Sequence, residues 1–135
     1  MGSTVTDSQH WARHPVLSTI IGVFAGAIAI ALIEFAGHAL AASAEAPKPA
    51  KASGSMILIV VVGWLVGAAV SAWVAGRWNG GGRATPGLVA ALFLWGATGL
   101  TLWTVPHPMW AVVASMVLMP IVGWFAASRA VKAKS

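Results

Sequence analysis

Apolar residues run through this chain in four long blocks, separated by short breaks rich in glycine, proline or charge. After a polar start holding His10, Trp11, Arg13 and His14, the block from Val16 to Ala42 carries one charged side chain, Glu34. A helix needs about 20 residues to cross the hydrocarbon layer at 1.5 Å each. The first block is therefore long enough to span with tilt or to protrude. Further apolar blocks run from Met56 to about Gly76, from about Pro86 to Thr104 and from Met109 to about Ser128. The pattern predicts an all-α integral membrane four-helix bundle, one domain over 1–135, with spans near 16–42, 56–76, 86–104 and 109–128.

The breaks agree with this division. Residues 43–55, SAEAPKPAKASGS, form an Ala/Pro/Lys/Ser linker without periodicity, and RWNGGGRATP places three glycines in a row at a turn. VPHP, Val105 to Pro108, ends a helix because proline cannot continue one. Pro120 falls within the last span, where a kink is expected and neighbouring helices make it tolerable. The charged start, apolar run and Ala42-Ser43-Ala44 resemble a signal peptide with its cleavage site. Its apolar run, however, far exceeds the 7–15 residues usual for such a segment. The expectation is a first membrane helix.

Composition supports the bilayer as solvent. Of 135 residues 59% are hydrophobic and 8% charged, and the mean hydropathy is +0.84. A soluble domain carries about 25% charged residues. No cysteine is present, which excludes disulfides, thiolate catalysis and Cys-ligated zinc or iron–sulfur sites. The net charge of +5 is scattered over flanking segments rather than gathered on one face, so no nucleic-acid partner is expected. The scatter reports orientation instead. With four spans, Arg13, Arg77, Arg83, Arg129, Lys132 and Lys134 fall on one side, and Lys48 and Lys51 on the other. The positive-inside rule then places both termini in the cytoplasm of a bacterial inner membrane. Trp11, Trp78 and Trp124 would lie near the inner interface, and Trp103 and Trp110 near the outer one.

Helices in lipid associate through close backbone approach, which needs small residues. Gly22-x-x-x-Gly26 on the first span and Gly63-x-x-x-Gly67, followed by Ala68 and Ser71, on the second are the candidate packing positions. On a helical wheel Gly22, Gly26, Ala29, Ala36 and Gly37 gather on one side. Ile21, Phe24, Ile28, Leu32 and Phe35 cover the other, assigned to lipid.

One polar constellation stands out. A charged side chain at mid-span costs about 2.5–3.5 kcal/mol on insertion scales, so Glu34 needs a partner or a purpose. It lies about 27 Å along the first span, toward the outer face. The wheel turns it into the bundle, and His38 follows one turn later on the same flank. His107 in the outer turn, with Thr98, Thr101 and Thr104 on the third span, falls on the same side. A Glu and two His make a plausible zinc or iron set, with Glu34, His38 and His107 the candidate metal ligands. Alternatively, Glu34 and His38 pass protons. The structural alternative is a polar clamp in which Glu34, protonated or paired with His38, bonds a threonine and fixes how the first and third spans meet. His107 between its prolines also fits a rigid turn at the headgroup level. Haem needs two inward histidines and only His38 lies in a span. Antenna polypeptides resemble Ala-x-x-x-His there, where this chain has Glu34. No cofactor is expected.

Glu34-Phe35-Ala36-Gly37-His38 on the first span, with Pro106-His107-Pro108-Met109-Trp110 before the last, resembles a group of small bacterial four-span membrane proteins of unknown function. The resemblance implies no activity, but implies that Glu34, His38 and His107 belong together. No complete catalytic set is legible. The expected role is an accessory, assembly or stabilising component packed within a larger or homo-oligomeric membrane complex. The alternative is a metal-binding or proton/ion-handling site at Glu34, His38 and His107.

Overall fold

The computed structural model describes residues 14–44, 54–79 and 82–132, so Trp11, Arg13, Lys48, Lys51, Lys134 and two of the three turn glycines lie outside the described residues. The described residues form four α-helices and no strand: α1 (Pro15–Ala44), α2 (Gly54–Trp78), α3 (Thr85–Thr104) and α4 (Met109–Lys132). All four are long and apolar enough to cross a membrane. The helices run past the limits predicted from hydropathy, α2 at both ends and α4 by a turn through Arg129 and Lys132. Hydropathy marks only the part of a helix that faces hydrocarbon, whereas basic side chains in the last turn stabilise its C-terminus.

α2 is the hub, packing against α1, α3 and α4, and α3 also touches both flanking helices. α1 and α4 hardly meet. Glycines set the α1–α2 approach. A Cβ on Gly22 would stand 2.6 Å from the Ser71 carbonyl oxygen, and one on Gly26 the same distance from that of Gly67. Gly67 in turn receives the Ile30 side chain. Of the four candidate packing glycines, Gly22, Gly26 and Gly67 are thus required by close approach. Gly63 is buried but only in ordinary contact, with Ile33 at 3.4 Å from an added Cβ.

Three glycines that the sequence reading passed over hold the remaining interfaces. Gly87 of α3 abuts the Ala72 carbonyl, Gly76 of α2 faces Ala130, and Gly123 of α4 faces Ala91. The core follows the same logic. One cluster joins Ala72, Ala91, Ala126 and Ala127, and another Trp64, Ala68, Leu94 and Met119. Alanine lets the backbones approach closely, as lipid-immersed helices require.

The outward surface is apolar. Phe24, Ile28, Leu32 and Phe35 are exposed, Phe35 at 75%, in agreement with the lipid assignment; Ile21 is partly buried. Ala36 departs from its assigned place, being exposed beside buried Gly37. Four residues on from exposed Leu32, it falls about 40° away on the wheel, at the edge of the lipid-facing side. A surface of this extent belongs against acyl chains rather than water.

Pro120 does not interrupt α4. A proline lacks the N–H that would bond the carbonyl four residues earlier, here Met116. The Trp95 indole N–H of α3 donates to that carbonyl at 3.1 Å. A neighbouring helix therefore supplies the donor that the proline removes, as a membrane interior demands.

Candidate functional site

The even number of spans brings the end of α1, the start of α2 and the α3–α4 turn to one end of the bundle. The opposite end holds Arg77, Arg83, Arg129 and Lys132. Glu34 is the only acidic side chain among the described residues. It sits on α1 opposite Gly63, whose missing side chain leaves room: its Cγ would stand 3.9 Å from a Cβ there.

A cavity of about 400 Å³ opens beside it between α1, α2 and α3. Glu34, Thr98, Thr101 and His107 line its polar part, and Ile30, Trp64 and Leu94 belong to its apolar wall. Glu34 and His107 are both partly buried. Thr98 is nearly enclosed, at 4% exposure. The carboxyl, the imidazole of the α3–α4 turn and two of the threonines therefore do share one chamber. Thr104 lies outside it.

The α3–α4 turn fixes His107. α3 ends where Val105 becomes extended, and Val105 N–H closes the helix on the Thr101 carbonyl at 2.9 Å. The next carbonyl, that of Val105, accepts from His107 Nδ1 at 2.7 Å. The imidazole also lies against Trp64, ring centroids 5.6 Å apart and tilted by 50°. This histidine is more than a turn residue at the headgroup level, since its ring reaches back over a buried tryptophan of α2.

His38 differs from expectation. It lines a second, smaller cavity of about 180 Å³ with Met56, Val105, Pro106 and His107, not the one holding Glu34. Its Nδ1 bonds the backbone carbonyl of Glu34 at 2.7 Å, and its side chain is exposed. Committed to that backbone carbonyl, Nδ1 does not bond the Glu34 side chain. The paired Glu34–His38 clamp is corrected accordingly. The threonine half of the clamp changes too. A hydroxyl has one proton to give, and Thr101 gives it to the Ala97 carbonyl at 3.1 Å. Thr104 gives its own to the Leu100 and Thr101 carbonyls, each at 3.1 Å.

These bonds define what the chamber can do. A carbonyl oxygen only accepts, so Nδ1 carries the proton in both His38 and His107. In the neutral ring Nε2 is then an acceptor. Thr101, its proton spent, likewise offers only lone pairs. Around the chamber, Glu34, His107 Nε2 and the Thr101 oxygen offer acceptors, the Thr98 hydroxyl can also donate, and the Trp64 indole face lies beside them. As a metal centre it is incomplete, since among the described residues no three His, Asp or Glu come close enough to hold an ion. Glu34, His38 and His107 do not form such a group: His107 borders both cavities, but Glu34 lines one and His38 the other.

The chain matches no family model, no curated protein and no solved structure at a significant level. The site must therefore be read from its geometry.

Proposed function

We propose that this chain is a multi-pass protein of a bacterial inner membrane, both termini cytoplasmic, whose bundle carries a proton- or small-cation-handling site near the outer face. One observation carries the reading: Glu34 and His107, from helix and turn, border the same cavity with their acceptor groups uncommitted to each other's elements. An intramembrane carboxyl is costly and is usually retained for ion or proton pathways or for a ligand's counter-charge. The surrounding acceptors select a guest that donates hydrogen bonds or bears positive charge. Trp64 adds an aromatic surface of the kind that attracts cations. Thr98 and Thr101 tune the wall, and His38 with His107 forms a vestibule beside it.

Thermal unfolding of the purified protein tests the reading. A guest that binds only the folded state raises stability by RT ln(1 + [L]/Kd). Protons, Na⁺, K⁺, ammonium and Zn²⁺ serve as probes. At least one is expected to raise Tm for the wild type and to lose that effect in Glu34→Gln and His107→Ala. An identical response of wild type and Glu34→Gln to every probe contradicts the site.

A second reading, an accessory or stabilising subunit of a larger or homo-oligomeric complex, is supported by the shortness of the connections. Only Val105–Pro108 separates α3 from α4, and the described residues form no domain outside the bundle. On that reading Glu34→Gln leaves co-purifying proteins unchanged, while substitutions on the exposed face at Phe24 and Phe35 remove them.

A further inference from the structure

The cationic end of the bundle carries a second, unrelated feature. α2 and α4 both terminate there, so they run parallel. Between them lies an open groove of about 710 Å³ lined by Trp73, Phe125, Ala126, Arg129 and Lys132. It continues toward mid-span as a shallower channel of about 300 Å³ along Ala69, Val70, Trp73, Val74 and Ala126. Trp73 and Ala126 belong to both, so the two form one trough with a charged mouth and a wholly apolar floor. Alanines at 69 and 126 create the trough, where larger side chains would fill the seam. At its mouth two cations lie over rings: the Arg129 guanidinium is 4.6 Å from the Phe125 centroid, and that of Arg77 is 5.9 Å from Trp73. The rings hold both guanidinium groups beside the groove rather than extended into solvent.

Basic residues in a helix's last turn offset its dipole, and that explains Arg77, Arg129 and Lys132 singly. It does not explain an apolar channel leading away from them. Among the described residues the only acid, Glu34, stands toward the other end, and Arg129 and Lys132 line this mouth. We propose that the α2–α4 trough is a binding site for an anionic phospholipid. Its phosphate is held by Arg129 and Lys132, and one acyl chain lies along Ala69, Val70 and Val74. Two features make it a lipid site rather than a phosphate site: the acyl channel is continuous with the cationic mouth, and it opens sideways to the bilayer.

Native mass spectrometry of the full-length protein, released from micelles containing equal phosphatidylglycerol and phosphatidylcholine, tests this. The wild type is expected to retain phosphatidylglycerol preferentially. Arg129→Gln with Lys132→Gln should weaken that preference by roughly tenfold or more, at about 1 kcal/mol per cation. Val74→Trp and, separately, Ala69→Leu fill the channel without altering charge and should reduce retention as well. Either one carries the steric arm if the other fails to fold. Arg83→Gln, outside the trough, should leave the preference intact. Equal retention of both lipids by the wild type overturns the site. So does undiminished retention in the charge variant or in a folded channel variant, loss of the preference in Arg83→Gln, or displacement of the lipid by inorganic phosphate.

Discussion

Trp95 shows how much one side chain carries in this bundle. Its indole N–H satisfies the Met116 carbonyl that Pro120 leaves without a helical donor. Trp95→Phe keeps most of the packing area but strands that carbonyl in a water-poor interior, at a cost of about 1–3 kcal/mol. In a Pro120→Ala background the backbone N–H returns, and the same substitution should cost clearly less. A double-mutant cycle of thermal unfolding in detergent checks it; equal costs in the two backgrounds would refute the pairing. Pro120 and its tolerance were legible in the sequence because proline's missing donor is local chemistry. Its partner was not, since Trp95 and Met116 lie on different helices and only their relative rotation brings them together. The same holds at the polar site. Glu34 announces itself as an acid within an apolar run, yet the direction of the His38 ring depends on rotamer geometry that spacing alone leaves open.

For the helices, the question is which small residues matter. Sequence spacing marks Gly22, Gly26, Gly63 and Gly67 equally, but the contacts do not. A Cβ at Gly26 meets the Gly67 carbonyl oxygen at 2.6 Å and the Leu94 side chain at the same distance. At Gly63 the nearest atom is an Ile33 methyl carbon at 3.4 Å, an ordinary van der Waals contact. Gly26→Ala should therefore separate α1 from α2 and lower stability by about 1–3 kcal/mol. Gly63→Ala should be nearly neutral. Thermal midpoints of the two variants decide this, and matching losses would show that the α1–α2 register is different. Gly76, Gly87 and Gly123 do not stand out in the sequence because none has a second glycine four residues away within a predicted span; only the fold sets them against Ala130, the Ala72 carbonyl and Ala91. Span limits were legible to within a turn or so, because the membrane sets hydropathy and proline or glycine sets the breaks.

The molecule as a whole is polarised from end to end. Arg77, Arg83, Arg129 and Lys132 mark one end, while Glu34, His38 and His107 lie toward the other. The proposed orientation, both termini cytoplasmic, rests on the positive-inside rule applied to that asymmetry. A C-terminal fluorescent-protein fusion should fluoresce and a C-terminal alkaline phosphatase fusion should be inactive; the opposite pair of results would invert the topology. Exposed Trp103, Trp110, Trp78 and Trp124 ring the two ends in the manner of interfacial belts. In that frame the acceptor-lined chamber faces outward and the cationic trough inward. The proposed site joins Glu34 and His107 through one chamber, and infrared difference spectroscopy of the reconstituted protein addresses it directly. A carboxyl band that vanishes in Glu34→Gln should move in His107→Ala and stay unmoved in Thr104→Ala, whose side chain lies outside the chamber. A Glu34 band unaltered by the loss of the His107 imidazole would contradict the account.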